Sequence, residues 1–156
     1  MPSQAPAGVH RYPLQVSWGD CDPAGIVYFP RFFEKFHEAM EQWFGQGLGL
    51  PYDELIVGRR LGLPSVHTEA DFAVPCHFGD RLVVQMRVLR LGRSSLELGY
   101  RVVLADDEAA PPRLTGRSVC VLMDLDPASE THLRALPWPE DLRARIEAFG
   151  VRAQDA

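Results

Sequence analysis

Between Pro30 and Phe44 the large apolar side chains recur at steps of three and four, and this aromatic stripe constrains everything around it. Phe32, Phe33, Phe36, Met40, Trp43 and Phe44 fall on the stripe, with Glu34, Lys35, Glu38, Glu41 and Gln42 between them. Such spacing is that of an amphipathic helix of about four turns. Pro30 suits its first turn, and the GQGLGLP segment, with three glycines and a proline, ends it. A helix with so wide an aromatic face needs a sheet to lie against.

The sheet is legible as alternation with period two. From His10 to Trp18 the even positions His10, Tyr12, Leu14, Val16 and Trp18 form one face. After the helix, Val66, Thr68, Ala70, Phe72 and Val74 alternate with His67, Glu69 and Asp71. Leu82, Val84, Met86 and Val88 alternate with Gln85 and Arg87, and Leu96, Leu98, Tyr100, Val102 and Leu104 with Glu97 and Arg101. The HFGD and LGRSS joints separate these runs, and beyond the ADDEAAPPR loop another strand spans about Leu114 to Asp124. A last helix starts at Pro139 and Glu140, carries Leu142, Ile146 and Phe149 on one stripe, and stops at Gly150. The predicted class is therefore α+β: a five-stranded antiparallel sheet wrapped around one long central helix, with a short C-terminal helix. One domain is expected over residues 1–156, with 1–8 a flexible lead-in and 151–156 a loose tail.

Composition narrows the function. Sixteen basic against 21 acidic residues give a formal charge of -5, which lacks the electrostatic footprint that holds a phosphate backbone, so nucleic acid is excluded as a partner. Arg87, Arg90 and Arg93 lie close together and suit a small polyanion instead. Cys21, Cys76 and Cys120 are odd in number and widely spaced, so they mark neither a disulfide framework nor a zinc site, and a reducing compartment is expected. The first ten residues lack the features of a signal peptide, and no apolar run has the roughly 18 residues of a membrane span. The expected protein is cytoplasmic and away from membranes. Only one face of the sheet and one stripe of the helix are satisfied in each copy, so a homodimer or homotetramer that continues the sheet or buries a second face is expected.

The connection Asp20-Cys21-Asp22-Pro23-Ala24-Gly25-Ile26-Val27-Tyr28-Phe29-Pro30 runs straight into the start of the aromatic helix. Unpaired N–H groups and the positive end of the dipole are available there to a carbonyl or an anion. Pro30 has no N–H, which leaves the amides of Phe29, Arg31 and Phe32 as donors. A carboxylate folded back beside that pole would complete an acyl-transfer site, with a base or nucleophile and a carbonyl polariser. The same residues also read as an ordinary turn in which Asp20 and Asp22 bond only to the backbone.

The segment GDCDPAGIVYFPRFF resembles the signature of the 4-hydroxybenzoyl-CoA thioesterase family, agreeing over the eight consecutive residues Asp20 to Val27. The RLGRSSLEL stretch is similar to that family's Arg-Ser-Ser segment, and the order of elements matches its hot-dog fold. The resemblance implies hydrolysis of an acyl-CoA to a free acid and coenzyme A. It makes Asp22 the carboxylate that attacks the thioester carbonyl or activates water, and the Phe29 amide the carbonyl polariser. Gly25, Ile26, Val27 and Tyr28 then lie along the substrate, and Asp20 is structural. Arg93, Ser94 and Ser95 would meet the phosphates of coenzyme A, assisted by Arg90 or by Arg59 and Arg60. Coenzyme A is part of the substrate, and neither a separate cofactor nor a metal is implied.

Two departures bear on the substrate. Phe29 stands where a sister branch carries a histidine, which disfavours a His-assisted mechanism. His37 stands where the 4-hydroxybenzoyl enzyme looks to have an acidic residue facing the substrate ring, which disfavours recognition of a para-hydroxyl, so a different, benzoyl-type aromatic or a short-to-medium chain is the expected acyl group. Weaker candidates have simpler readings: Glu34 and Glu38 as solvated helix charges, His67, Glu69 and Asp71 as a wet strand face, and His77 as a turn residue. Cys21, beside two acids, lacks the positive surroundings of a reactive thiolate. The rival functions are a hydratase or dehydratase of the same fold and a non-catalytic acyl-CoA binding module.

Overall fold

The computed structural model describes residues 7–152. Its elements are β1 His10–Gln15, α1 Arg31–Gln46, β2 Leu61–Gly62, β3 Ser65–Phe72, β4 Arg81–Leu91, β5 Ser95–Leu104, β6 Leu114–Val121, β7 Met123–Asp124 and α2 Glu140–Phe149. Five strands form one antiparallel sheet in the order β1-β4-β5-β6-β3, and β2 pairs with β7 in a small ribbon. The aromatic stripe of α1 packs against the sheet in one core: Phe32, Phe36, Met40, Trp43 and Phe44 are all buried. Facing them are Leu82, Val84, Met86, Leu98, Tyr100 and Val102, the inward set that alternation assigned. Each such side chain contributes about 1.5–3 kcal/mol of apolar burial.

Two close approaches hold the helix against the sheet. Phe36 stacks on Tyr100 with ring centroids 4.3 Å apart and planes tilted by 10°. Beneath the Phe36 ring lies Gly116 on β6, where a Cβ would overlap it, its Cζ lying 2.6 Å away. The missing side chain is thus what lets the ring reach the sheet.

Three boundaries depart from the alternation. The first strand stops at Gln15, because the Asp20 carboxylate accepts the Ser17 N–H and hydroxyl at 2.9 and 2.8 Å and turns the chain into a short helical turn at Trp18–Asp20. Trp18, expected on the inward face, is 81% exposed. The strand expected over Leu114–Asp124 breaks at Leu122 into β6 and β7, and β7 leaves the main sheet to meet β2. Finally, β3 is an edge strand, and its side chains are also largely uncovered, with Val66 64% exposed and Phe72 49%. Alternation reports which face points inward, not whether a neighbour covers it.

The described ends are tied down. Val9 is buried, Val151 pairs with Val88, and the Arg152 N–H donates to the Val88 carbonyl at 2.7 Å. The rest of the expected lead-in and tail, residues 1–6 and 153–156, lies outside the described residues. No helix among the described residues is long and apolar enough to cross a membrane.

On the outer side of β3 and β6, Arg117 pairs with Glu69 at 2.9 Å and also with Glu97, and His67 lies 2.9 Å from Glu69. The Arg117 guanidinium, and His67 after it, hold the Glu69 carboxyl down at about 2. A depressed carboxyl stabilises the fold at pH values above its ordinary 4.5, and that contribution is lost as pH falls toward about 2. The difference in thermal midpoint between the parent and Glu69→Gln is expected to shrink across that window, and to be small throughout because the network is exposed.

Candidate active site

The loop between β1 and α1 closes on itself as an irregular hairpin. Cys21 bridges Val27, the Asp22 N–H donates to the Ile26 carbonyl at 3.0 Å, and the Tyr28 N–H donates to the Asp20 carbonyl at 2.9 Å. The hairpin is anchored to the β3–β4 connection, where the Val27 N–H donates to the Cys76 carbonyl at 2.8 Å and Ile26 bridges His77. Gly25 turns the tip at φ +79°, a conformation strained for any other residue.

The two acids of the loop have different surroundings. Partial burial pushes the Asp20 carboxyl up, but bonds from Ser17 and the charges of Lys35 and Arg31 outweigh it and hold the group below the usual carboxylate range. Its Oδ2 accepts both Ser17 bonds, and its Oδ1 lies 4.0 Å from Lys35 Nζ. Asp22 is half-buried, and its Oδ1 accepts the Ala24 N–H at 2.8 Å. Its second oxygen has no partner among the described residues. One carboxylate oxygen therefore braces the turn while the other is free for chemistry.

The helix start offers fewer donors than expected. The Arg31 N–H donates to the Tyr28 carbonyl at 2.9 Å and the Phe32 N–H to the Phe29 carbonyl at 3.1 Å. Phe29 is left as the unengaged amide among the described residues, at the positive end of a 16-residue helix. Both Phe29 and Tyr28 are exposed.

Asp22 and Phe29 line two neighbouring hollows. An open cleft of about 560 Å³ is bounded by Asp22, Cys21, Gly25, Trp18 and Phe78. A more apolar cavity of about 300 Å³ is lined by Phe29, Ile26, Val27, Phe32, Phe72 and Cys76. The Gly25–Ile26 segment runs between them, so a substrate touching both Asp22 and the Phe29 amide lies across that segment. Trp18, Phe72 and Phe78 were not expected at the site. Their exposure is what marks them, and hydropathy alone assigns such side chains to a core.

Other expected residues are placed as follows. His37 lies on α1 with Nδ1 3.1 Å from Glu41, and borders a third cavity, between the helix and β3. Arg93 and Ser94 lie in the β4–β5 turn and Ser95 opens β5; the turn is pinned by bonds from the Leu122 N–H to the Ser94 carbonyl and the Trp138 N–H to the Arg93 carbonyl. That turn sits at the far end of the sheet from Asp22. Gln15 pairs with Arg81 at the start of β4, whose 11 residues span about 30 Å at roughly 3.3 Å per residue. Arg59 and Arg60 are committed to Asp141 and Asp126, whereas Arg90 and Arg93 have no carboxylate partner among the described residues. Glu34 pairs with Arg31, and Glu38 accepts the Tyr12 hydroxyl at 2.6 Å. The Cys21 thiol is pushed up, by desolvation first and then by Asp20, Asp22 and Asp80, which opposes thiolate formation.

Against known proteins, the family model described as the thioesterase-like superfamily matches residues 16–146. The chain is 34% identical over 155 residues to a 1,4-dihydroxy-2-naphthoyl-CoA hydrolase of Synechococcus sp. (strain CC9311), covering 93% of this chain and 96% of that protein. It is 32% identical over 116 residues to the enzyme of the same name from Synechocystis, covering 74% and 83%. The crystal structure of a 1,4-dihydroxy-2-naphthoyl-CoA thioesterase from Synechocystis superposes with a TM-score of 0.76 at 29% identity, covering 89% of this chain and 96% of that one. With the family signature lying over the Asp22 loop, the long helix and all five sheet strands but the first, the chain belongs to the thioesterase-like superfamily and is a thioester hydrolase of the hot-dog fold.

Proposed function

We propose that the protein hydrolyses an aromatic acyl-CoA to the free acid and coenzyme A, with Asp22 as nucleophile or general base. The observation that carries this is the pairing, in one loop, of a carboxylate oxygen without a partner and an unengaged amide at the start of α1. The thioester carbonyl oxygen accepts the Phe29 N–H, and the helix pole stabilises the negative charge that grows on it. Either Asp22 attacks the carbonyl carbon, expelling the coenzyme A thiolate and leaving a mixed anhydride that water then hydrolyses to the free acid and Asp22, or it takes a proton from the water that attacks the carbonyl, with the thiolate leaving directly. Gly25, Ile26, Val27 and Tyr28 form the ledge under the acyl thioester. Relatives named for a dihydroxynaphthoyl-CoA, together with the aromatic lining from Phe29, Phe32 and Phe72, favour a ring-bearing acyl group.

Arg93, Ser94 and Ser95 enter this reading through a second copy. The open edge of β3 is half-apolar and unpaired, which a second protomer would relieve by pairing edge to edge about a two-fold axis. The Asp22 loop lies at the Phe72 end of β3 and the Arg93 turn at the Ser65 end, because Ser65 faces Cys120 and Val121 faces Ser95. Antiparallel pairing of two β3 strands sets the Ser65 end of one beside the Phe72 end of the other. The Arg93 turn of each copy then shares an end of the joined sheet with the other's Asp22. A homodimer, or a homotetramer of two such dimers, is the functional unit. Arg93→Ala is expected to raise KM for acyl-CoA about 10-fold with little change in kcat, read by steady-state thiol release.

The deciding experiment is thiol release from benzoyl-CoA, hydroxybenzoyl-CoA, short-chain and long-chain acyl-CoAs. Turnover on the aromatic thioesters supports the reading, and its absence on every aromatic thioester removes it. Hydration of an enoyl-CoA without thiol release would instead identify a hydratase, and saturable binding without release a binding module.

A further inference from the structure

Arg11 on β1, Arg87 on β4, Arg101 on β5 and Arg117 on β6 stand on the outer face of the sheet, turned away from α1. Alternation puts them there, because Met86, Val88, Tyr100 and Val102 beside them in sequence belong to the core. Two of the four are matched by acids. Arg11 donates to both oxygens of Glu108 at 2.8 and 2.7 Å, and Arg117 is shared by Glu69 and Glu97. Arg87 and Arg101 pair with no carboxylate among the described residues.

The unmatched pair is adjacent in space. Arg101 faces Gln85 across the β4–β5 ladder and Arg87 faces Gly99, so the two are diagonal neighbours. Cα atoms in such a pair are about 7–8 Å apart, within reach of long side chains. Gly99 adds no side chain to the gap. The carboxylate that comes nearest along the sheet, Glu108, is taken up by Arg11, with Gln85 Nε2 3.4 Å away. Arg101 has one side-chain contact, to Gln85 Oε1 at 3.4 Å. Arg87 has none among the described residues, and its Nε is buried without an acceptor.

This arrangement is costly as it stands. Both side chains are half-buried, a guanidinium cannot shed its charge, and two side by side repel. Water solvates an arginine that points outward, but it does not reach the Arg87 Nε, and a buried donor without an acceptor destabilises. An anion between the two groups would answer both costs. A carboxylate has two oxygens, enough for one guanidinium fork, whereas a phosphate has oxygens for two.

We infer that Arg87 and Arg101 form a binding site for a phosphate-class oxyanion on the outer face of the sheet, apart from the Asp22 loop. Arg87 stands near Arg90 and Arg93 in the sequence, yet pairing of β4 with β5 gives it Arg101 as its neighbour. The inference does not rest on the thioesterase reading. Two sources carry this chemistry, free phosphate and a phosphate group of coenzyme A.

The test compares thermal midpoints of the parent, Arg87→Gln and Arg101→Gln in about 10 mM inorganic phosphate and in sodium chloride of equal ionic strength. With a dissociation constant on the order of 1 mM, phosphate is expected to raise the parent midpoint by roughly 3–6 °C over chloride. Each of the two variants should lose most of that rise, and Arg134→Gln, an exposed arginine beyond β7, should keep it. No rise in the parent overturns the inference. So does a rise that survives both variants, which is the general effect of an excluded salt, or one that Arg134→Gln loses equally. If a variant fails to fold, equilibrium dialysis of labelled phosphate against the parent decides: about one phosphate per chain supports the site, and none removes it. KM for acyl-CoA then separates the sources, since a rise of about 10-fold in both variants assigns the anion to coenzyme A, and a change within about 2-fold to free phosphate. Absence of thiol release would remove the thioesterase reading and leave the midpoints to decide this one.

Discussion

Replacing Asp22 by Asn is expected to lower the turnover of acyl-CoA by about 10² to 10⁴, the range for loss of a catalytic acid, base or nucleophile, with KM little changed. The amide keeps an oxygen that accepts the Ala24 N–H, so the turn survives, but it can neither attack the carbonyl nor take a proton. A thermal midpoint within a few degrees of the parent would show that chemistry, not folding, was lost. Asp20→Asn makes the contrast. Both Asp20 contacts to Ser17 and its charge beside Lys35 hold the hairpin in place, so that variant is expected to lose stability more than turnover. Hydrolysis at the parent rate in Asp22→Asn would end the assignment, and a larger turnover loss in Asp20→Asn would exchange the roles of the two acids.

Gly116→Val is expected to destabilise the protein by about 3 kcal/mol, lowering the thermal midpoint by roughly 6–12 °C for a chain of this length. The new side chain would occupy the space of the Phe36 ring, which cannot step aside. It is stacked on Tyr100 on one side and meets Phe33 edge-on at 6.0 Å and 86°. Either β6 moves away from the helix or the ring leaves its stack, and each route opens the packing that surrounds the cavity between α1 and β3. A second change, Phe36→Leu, removes the clash and should recover part of the loss, giving a non-additive pair. A midpoint within 2 °C of the parent in Gly116→Val, measured by calorimetry, would mean that the helix is not seated on the sheet at this point.

The two predictions probe different layers of the molecule. Asp22 is held by local hydrogen bonds within one loop, so its substitution should be silent in stability. Gly116 is remote in sequence from Phe36, and its constraint exists only because a helix and a strand meet there. Activity and stability are therefore expected to separate cleanly between the variants.

Much was legible in the amino-acid sequence because it depends on neighbours in the chain. The stripe from Phe32 to Phe44, the alternation in β4 and β5, and the Asp-Cys-Asp-Pro-Ala-Gly-Ile-Val run are local patterns with fixed periods, and they specified the long helix, the sheet and the loop that carries Asp22. What depended on contacts distant in sequence was not legible. Alternation could not show that β3 is an edge strand, that Trp18 turns outward, or that Leu122 leaves the main sheet, since each is decided by which strand lies beside which. Likewise three amides were possible donors at the helix start, and only the folded turn, by engaging Arg31 and Phe32, left Phe29 free. Arg93 and Asp22 share no end of the sheet within one copy, a fact set by strand pairing alone. Periodicity and turn chemistry act over a few residues and determine elements; pairing, coverage and the cavities between elements arise only when those elements meet.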